Sequence, residues 1–378
     1  MRWLLLVLAG CGRIAFDPLA DARTTNDMND AGGAVRRIYA GGESTCTLEA
    51  SGDVWCWGYG DLLDDGLDTG VPTKMVAPPF VDLDVNDAGA CGITAQHTLY
   101  CWGTNRDGAL GLGTTGIIAT PTLVPGESSV AKVTVGRSNA CVIRLDGSVA
   151  CSGLGIRLGD GIGTDRATFA AIPGLIATSL SAGDSHICAL RLGGEVTCWG
   201  ENFANQLGDG TVNDSLSPTL GPVIQYSKVV TGDYFTCALH AVGGTIDCWG
   251  DNTAGQCGDR MQATMQPFVT SAQGITDAVD IVAGAAHVAV RHADGSLTAW
   301  GENIHGELGT GVLGSPVVDE ITPALSRIRQ LSSRTALHTC ATDEQDVMWC
   351  WGANDRGQLG RGGLGGLFGD PMPVVGLP

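Results

Sequence analysis

Fourteen cysteines and seven histidines are the residues of this 378-residue chain best suited to chemistry, and their spacing sorts them. Cys46 and Cys56, Cys91 and Cys101, Cys141 and Cys151, Cys188 and Cys198, and Cys340 and Cys350 each stand ten apart. Cys237 and Cys248 stand eleven apart. Zinc-ligand pairs usually lie two to four apart, so no metal centre is expected from them. Every pair brackets a hairpin turn, with one partner on each strand. A sixth copy of the pattern has Ala289 and Ala299 in the same places, so both partners are missing together. Pairs that are kept together or lost together predict six disulfides, against the alternative of free cysteines packed as small apolar residues. Each would close a loop of about ten residues, for roughly 2.5–3 kcal/mol in the chain-entropy model. Cys11 and Cys257 are left over, and Cys257 reads as a buried free thiol.

Other reactive-looking groups fare less well. Gly183-Asp184-Ser185-His186 looks like a hydrolase fragment. Related copies carry Ser44, Asn139 or Phe235 at the position of His186, while His287 and His338 share it. A histidine recurring at one repeat position reads as a hydrogen-bonded core residue, and no third group is present to orient a catalytic base. His97, His240, His292 and His305 form no spaced metal motif. Asp61, Asp64, Asp65 and Asp68, followed by Asp82, Asp84 and Asp87, miss the calcium-loop pattern, since Leu63 and Pro72 occupy ligand positions. They read as a solvated acidic loop. Gly153-x-Gly155-x-x-x-Gly159 lacks dinucleotide-binding spacing and a following helix. No catalytic residue, metal or cofactor is expected.

The elements that must position these residues come from a repeat. Trp-Gly recurs at Trp57, Trp102, Trp199, Trp249, Trp300 and Trp351, with Ser152-Gly153 filling one gap. Spacings of 45, 50, 47, 50, 51 and 51 residues give seven copies. About 17 residues before each lies a block best seen in Ala182-Gly183-Asp184-Ser185-His186-Ile187-Cys188. After each comes a third block, clearest in Asn354-Asp355-Arg356-Gly357-Gln358-Leu359-Gly360 and degenerate in the first and third copies. Alternation in Glu195-Val196-Thr197-Cys198-Trp199 marks strands. Gly193-Gly194, Asp146-Gly147, Gly243-Gly244 and Asp294-Gly295 mark tight hairpins between strands. Helical periodicity is absent, and repeats of this size build solenoids or propellers.

Ala-Gly-x-x-His followed by Cys-Trp-Gly-x-Asn-x-x-Gly-Gln-Leu-Gly resembles the regulator-of-chromosome-condensation repeat, over residues 36–378. The resemblance implies an all-β, seven-bladed β-propeller with about four antiparallel strands per blade. It also implies a ring closed between the N- and C-terminal segments through a blade that they share. Members of that family include a guanine-nucleotide exchange factor on chromatin and bacterial inhibitors of β-lactamases. Neither role carries over by residue.

The chain opens with Arg2, the apolar run Trp3–Ala9 and then Cys11, and Leu8-Ala9-Gly10-Cys11 resembles the lipobox of bacterial lipoproteins. That resemblance implies a signal peptide over 1–10, a lipidated Cys11 opening a flexible stalk over 11–35, and the propeller over 36–378. The apolar run is too short to span a bilayer. The expected location is the bacterial cell envelope, exported and membrane-anchored, periplasmic or surface-facing.

A net charge of −19 and only three lysines (Lys74, Lys132 and Lys228) exclude a nucleic-acid partner, which needs clustered bases. The expected function is a non-catalytic, monomeric binding scaffold that recognises a protein, or a glycan, through blade-connecting loops. The candidate segments are 59–80, 104–129, 203–227 and 251–280, with Phe203, Tyr226, Tyr234 and Phe268 as contact aromatics and Phe235 alongside. The competing expectation is a secreted carbohydrate-active enzyme at the propeller mouth, with Glu127, Glu320 and Glu344 as the carboxylates outside repeat positions.

Overall fold

Each repeat folds as four antiparallel strands taken in chain order. In the fourth they are Ser179–Ala182, His186–Leu190, Val196–Gly200 and Ser215–Leu220. The computed structural model describes residues 36–377, apart from 64, 87–88, 260–265, 273, 315 and 322–324. The side chains of 266–268 and 317–321 also lie outside the described set, as do residues 1–35, on which the expected signal peptide, lipidated Cys11 and stalk fall. Seven four-stranded sheets result, at 37–74, 80–123, 130–176, 179–220, 226–271, 278–321 and 328–373, numbered here as blades 1 to 7. This is the seven-bladed, all-β propeller expected from the repeat. Among the described residues no helix is long and apolar enough to cross a membrane.

The hairpin between second and third strands turns on glycines with positive φ, such as Gly147 at 82° and Gly194 at 84°. In blades 2 and 7 His97 (62°) and Asp346 (61°) take that left-handed position, so those two turns carry no glycine signal. The turn fixes the register, which sets the cysteines directly opposite one another. Cys46 faces Cys56, Cys91 faces Cys101 and Cys141 faces Cys151. Likewise Cys188 faces Cys198, Cys237 faces Cys248 and Cys340 faces Cys350. A disulfide joins each of these six pairs, in every blade but the sixth. There Ala289 faces Ala299, both buried. Disulfides at this density belong to an oxidising, extracytoplasmic environment. Cys257 is free and buried.

The first strands of all seven blades surround a central channel of about 860 Å³. Asp82 and Asp84, read from the sequence as part of a solvated loop, lie instead on the first strand of blade 2 (Phe80–Asn86) and line this channel. Asp84 is buried at 7% exposure and pairs with Arg334 at 2.8 Å. Burial raises the Asp84 carboxyl to about 6 despite that guanidinium.

The ring closes between its first and last segments, but no blade is shared. Blade 1 takes all four strands from the N-terminal side and blade 7 all four from the C-terminal side. Side chains close the gap in place of a shared sheet. Gln330 accepts from the Ile38 N–H and donates to the Ile38 carbonyl, and Ser332 accepts from the Ala40 N–H. Arg356 of blade 7 meets Asp68 and Glu43 of blade 1.

Blades adhere through one recurring seam. The Trp of Trp-Gly sits where the third strand slips register against the outer strand, as between Cys198 and Gly200. Its indole crosses to the preceding blade and donates to a backbone carbonyl of the Gly-Gln-Leu-Gly block. Trp249 donates to Gln206 at 2.9 Å, Trp351 to Glu307 at 2.7 Å and Trp57 to Gln358 at 2.8 Å. Because the acceptor is backbone, the degenerate third copy still serves, with Arg157 receiving Trp199. The degenerate first copy does not, and the buried Trp102 indole N–H has no partner among the described residues, although Phe80 stacks on its ring. In blade 3 Ser152 keeps the hydrogen bond, to Ala109, while Phe169 from the outer strand reaches the glycine that a tryptophan ring covers elsewhere.

The last glycine of the block lies against the next blade's indole. A Cβ on Gly208 (φ 69°) would stand 2.6 Å from Trp249 Nε1. Gly208→Ala is therefore expected to cost about 2–4 kcal/mol, from the left-handed backbone and overpacking together. The drop in urea midpoint at unchanged slope measures it, and an unchanged midpoint would refute the seam. Gly210→Ala, which meets nothing within 4 Å, isolates the backbone share.

Candidate partner-binding face

Antiparallel strands in chain order put alternate connections on opposite sides of the ring. One side, the loop face, carries the Ala-Gly turns and the long loops from third to outer strand. The other carries the tight hairpins and the links between blades. Each candidate segment read from the sequence starts on the loop face, runs along an outer strand and ends on the opposite side. Among the described residues, only those in the first halves of 59–80, 104–129, 203–227 and 251–280 thus share a surface.

The loops are built by their asparagine. Asn202 Oδ1 accepts the Leu207 N–H at 3.0 Å, and its Nδ2 donates to the Thr211 carbonyl. Asn105, Asn303 and Asn354 repeat the arrangement. The loop tip then hooks the next blade's outer strand, as where the Gly161 N–H bonds Leu216 and that of Gly362 bonds Gly70. These are rigid platforms, and what they present is set by the side chains between the fixed points.

The histidines of the Ala-Gly block belong to the scaffold. His186 Nε2 bonds Thr236 Oγ1 of the next blade at 2.7 Å, His287 bonds Thr339 at 2.8 Å, and His338 bonds Thr45 across the closure at 2.8 Å. Each threonine hydroxyl donates onward to the carbonyl that also receives the indole. Burial lowers His186 and His338 to about 3 and His287 to about 4. All three rings are neutral at pH 7. Ser185 beside His186 donates to the Asp233 carbonyl and is equally committed. The Ser185 Oγ lies 3.4 Å from His186 Nδ1 and only 2.7 Å from the Asp233 carbonyl that takes its proton.

The remaining candidates separate. Tyr226, a contact candidate by sequence, is 2% exposed on the first strand of blade 5, with its hydroxyl donated to Asp247. Phe235 is wholly buried in the histidine position. Phe268 lies in the strand Gln266–Ser271, its side chain outside the described residues. Phe203 and Tyr234 are brought together across the seam between blades 4 and 5, with ring centroids 5.0 Å apart. Phe203 is 54% exposed. Glu127 is buried and doubly hydrogen-bonded by Arg144, Glu344 sits in a blade 7 hairpin, and the Glu320 side chain lies outside the described residues. Glu127 and Glu344 thus stand in different parts of the ring. Nearer the axis, the loop face opens into a cavity of about 430 Å³ whose rim includes Glu43, Tyr59, Arg106, Arg137, Asp233 and Arg356. Sequence reasoning passed over these charges, because the ion pairs Arg356–Glu43 and Arg137–Asp184 each join residues on different blades.

A closed propeller with committed histidines and an exposed Phe203, backed by a part-buried Tyr234, on a loop-bearing face is a binding fold. Residues 96–143, and again 177–206 and 226–256, match models of the regulator of chromosome condensation (RCC1) repeat. The ultraviolet-B receptor UVR8 of Arabidopsis thaliana is 31% identical over 352 residues, covering 88% of this chain and 68% of that one. The chain therefore belongs to the RCC1-repeat family. It also matches the E3 ubiquitin-protein ligase HERC2 of Mus musculus, 37% identical over 102 residues, but spans only 2% of that protein's length. Among solved structures, Prp20p from Saccharomyces cerevisiae, described with its binding to Gsp1p and histones, superposes with a TM-score of 0.77. That match has 20% identity and covers 85% of each chain. Yeast RCC1 (Prp20) bound by Kap60 gives 0.79 at 17% identity, covering 99% of this chain and 90% of that one. At these identities the likeness is one of fold. The matched family models describe a repeat and indicate no catalytic family.

Proposed function

We propose that this propeller is a non-catalytic binding scaffold, held on the bacterial cell envelope through a lipidated Cys11, that recognises a protein partner with its loop face. The observation that carries the partner reading is Phe203, more than half exposed and backed by Tyr234 on a platform that the asparagine loops hold rigid. Exposed aromatics on rigid supports are the usual anchors of protein interfaces, since their burial stabilises strongly at little entropic cost. Proteins of the same fold are described with protein partners, Gsp1p and Kap60 among them. Envelope display rests on the Leu8-Ala9-Gly10-Cys11 motif and on six disulfides that suit an exported chain.

One experiment tests both parts. The full chain and its Cys11→Ser variant are expressed and fractionated. The first is expected with the membranes and the second in the soluble extract. Cys11→Ser protein then serves as bait on intact envelopes, with and without Phe203→Ala. A protein captured at least about tenfold better by the Phe203 bait is the expected result. Glycan retained and cleaved in place of any protein would sink the scaffold reading and favour an enzyme.

A further inference from the structure

Around the Phe203–Tyr234 pair the charges are unequal. Asp184 and Glu201 of blade 4 and Asp233 of blade 5 bring carboxylates to Tyr234, and Asp251 of blade 5 adds a fourth whose oxygens accept from Thr253 and Gln256 in its own loop. The cations there are Arg137, 3.2 Å from Asp184, and Arg157, 3.1 Å from Glu201. Asp233 immediately precedes Tyr234 in the turn, and the Asp251 N–H donates to the Tyr234 carbonyl at 2.9 Å. Burial raises the Tyr234 hydroxyl above its ordinary range, and the carboxylates of Asp184, Asp233 and Glu201 push it the same way against Arg137. Arg157 is 9% exposed, so its charge is sunk beneath the surface; Arg137 is 49% exposed but held by Asp184, and Phe203 stands proud of both carboxylate partners.

We infer that this seam seats a lysine or arginine side chain from an extended basic segment of the partner protein. Its cation lies over the Phe203 ring and its donors face the carboxylates. An aromatic face attracts a cation through its quadrupole, and flanking carboxylates compensate the charge as it leaves water. An apolar anchor would gain from Phe203 but would strand the excess negative charge. An acidic anchor would be repelled by it, and by the chain's net charge of −19. This inference rests on the loop-face reading above and names the chemistry of its partner.

The probe is a fluorescein-labelled heptapeptide, Gly-Arg-Gly-Arg-Gly-Arg-Gly, titrated with the full-length, disulfide-bonded Cys11→Ser chain and read by anisotropy. Peptides with glutamate or leucine in place of arginine are the controls. Binding of the arginine peptide is expected to weaken about tenfold in Phe203→Ala and several-fold in Asp233→Asn. It is expected to be unchanged in Leu364→Ala, an exposed position on the corresponding loop of blade 7. Phe203→Ala alters no charge, so equal affinity in that variant would show attraction to net charge alone and overturn the inference. Preference for the leucine or glutamate peptide would also overturn it. Phe203-dependent capture of an envelope protein without arginine-peptide binding overturns this inference and leaves the loop-face reading standing. Phe203-dependent binding of the arginine peptide with no envelope protein captured supports the inference and the loop-face site, and overturns only the envelope partner of the proposed function.

Discussion

Reduction of the six disulfides is expected to unfold this propeller at 25 °C. Each closes a hairpin of about ten residues and contributes roughly 2.5–3 kcal/mol in the chain-entropy model. The six together therefore match or exceed the about 5–15 kcal/mol by which a domain is ordinarily stable. All twelve cysteines are wholly buried, so reductant alone is expected to act slowly, and reductant with mild urea quickly. Blade 6 supplies the internal control, because Ala289 and Ala299 already occupy the bonded register without a bond. Replacing Cys188 and Cys198 together with alanine should therefore fold and lose about 3 kcal/mol. Ala289→Cys with Ala299→Cys should form a seventh bond and gain a similar amount. Urea midpoints with and without reductant, alongside mass spectrometry of the thiols, measure all three. A reduced chain with the oxidised midpoint would contradict the account.

The second large effect is with acid. His186, His287 and His338 have folded values of about 3, 4 and 3, below the about 6.5 of an exposed histidine. The unfolded chain therefore takes up protons first as pH falls. Stability is full above about 6.5 and is lost as pH drops toward 3–4. Each ring removes up to about 1.4 kcal/mol per pH unit, so three remove about 6 kcal/mol by pH 5. Asp82, also raised by burial, runs the other way, and so does Asp84. Its raised value of about 6 makes the folded state the better proton binder between there and about 3.8, which returns only about 1.4 kcal/mol at pH 5. The histidines win, and the urea midpoint should fall steeply between pH 6.5 and 5.

The same rings test the seam. A histidine occurs only where the next blade offers threonine: His186 with Thr236, His287 with Thr339, His338 with Thr45. Where the position holds Ser44, Gly89, Asn139 or Phe235, the next blade offers Ala90, Ala140, Ile187 or Val288. His186→Phe alone is expected to cost about 2 kcal/mol by leaving Thr236 short of a buried partner. Adding Thr236→Val reproduces the Phe235–Val288 pair and should recover about half of that loss, with a coupling near 1 kcal/mol. Both variants should lose about a third of the acid slope. Additive losses in the double variant would dismiss the pairing.

How much of this was legible follows from range. The hairpins, the cysteine partners and the blade count rest on contacts within a dozen residues or on a repeated period. Cys91 with Cys101 and Cys340 with Cys350 were found this way even though their turns carry no glycine, because the period alone aligns them with the other copies. The asparagine loops were visible as a motif, though not their purpose, because the side-chain bonds of Asn105, Asn303 and Asn354 run to backbone atoms that any residue supplies. The shared closing blade implied by family resemblance did not appear. That closure trades sheet hydrogen bonds for side chains such as Gln330 and Ser332, whose partners lie 292 residues away.

By itself the sequence determined that seven four-stranded units form, how each is stapled and where each turns, since local sterics and register decide those. Only the tertiary structure decided which aromatics meet solvent. Tyr226 and Phe203 both sat in variable segments, yet one begins an inner strand and is buried while the other tips a loop. Exposure depends on what the neighbouring blade covers. It also decided that His338 answers to Thr45, because a ring makes its first and last blades neighbours while the chain holds them furthest apart.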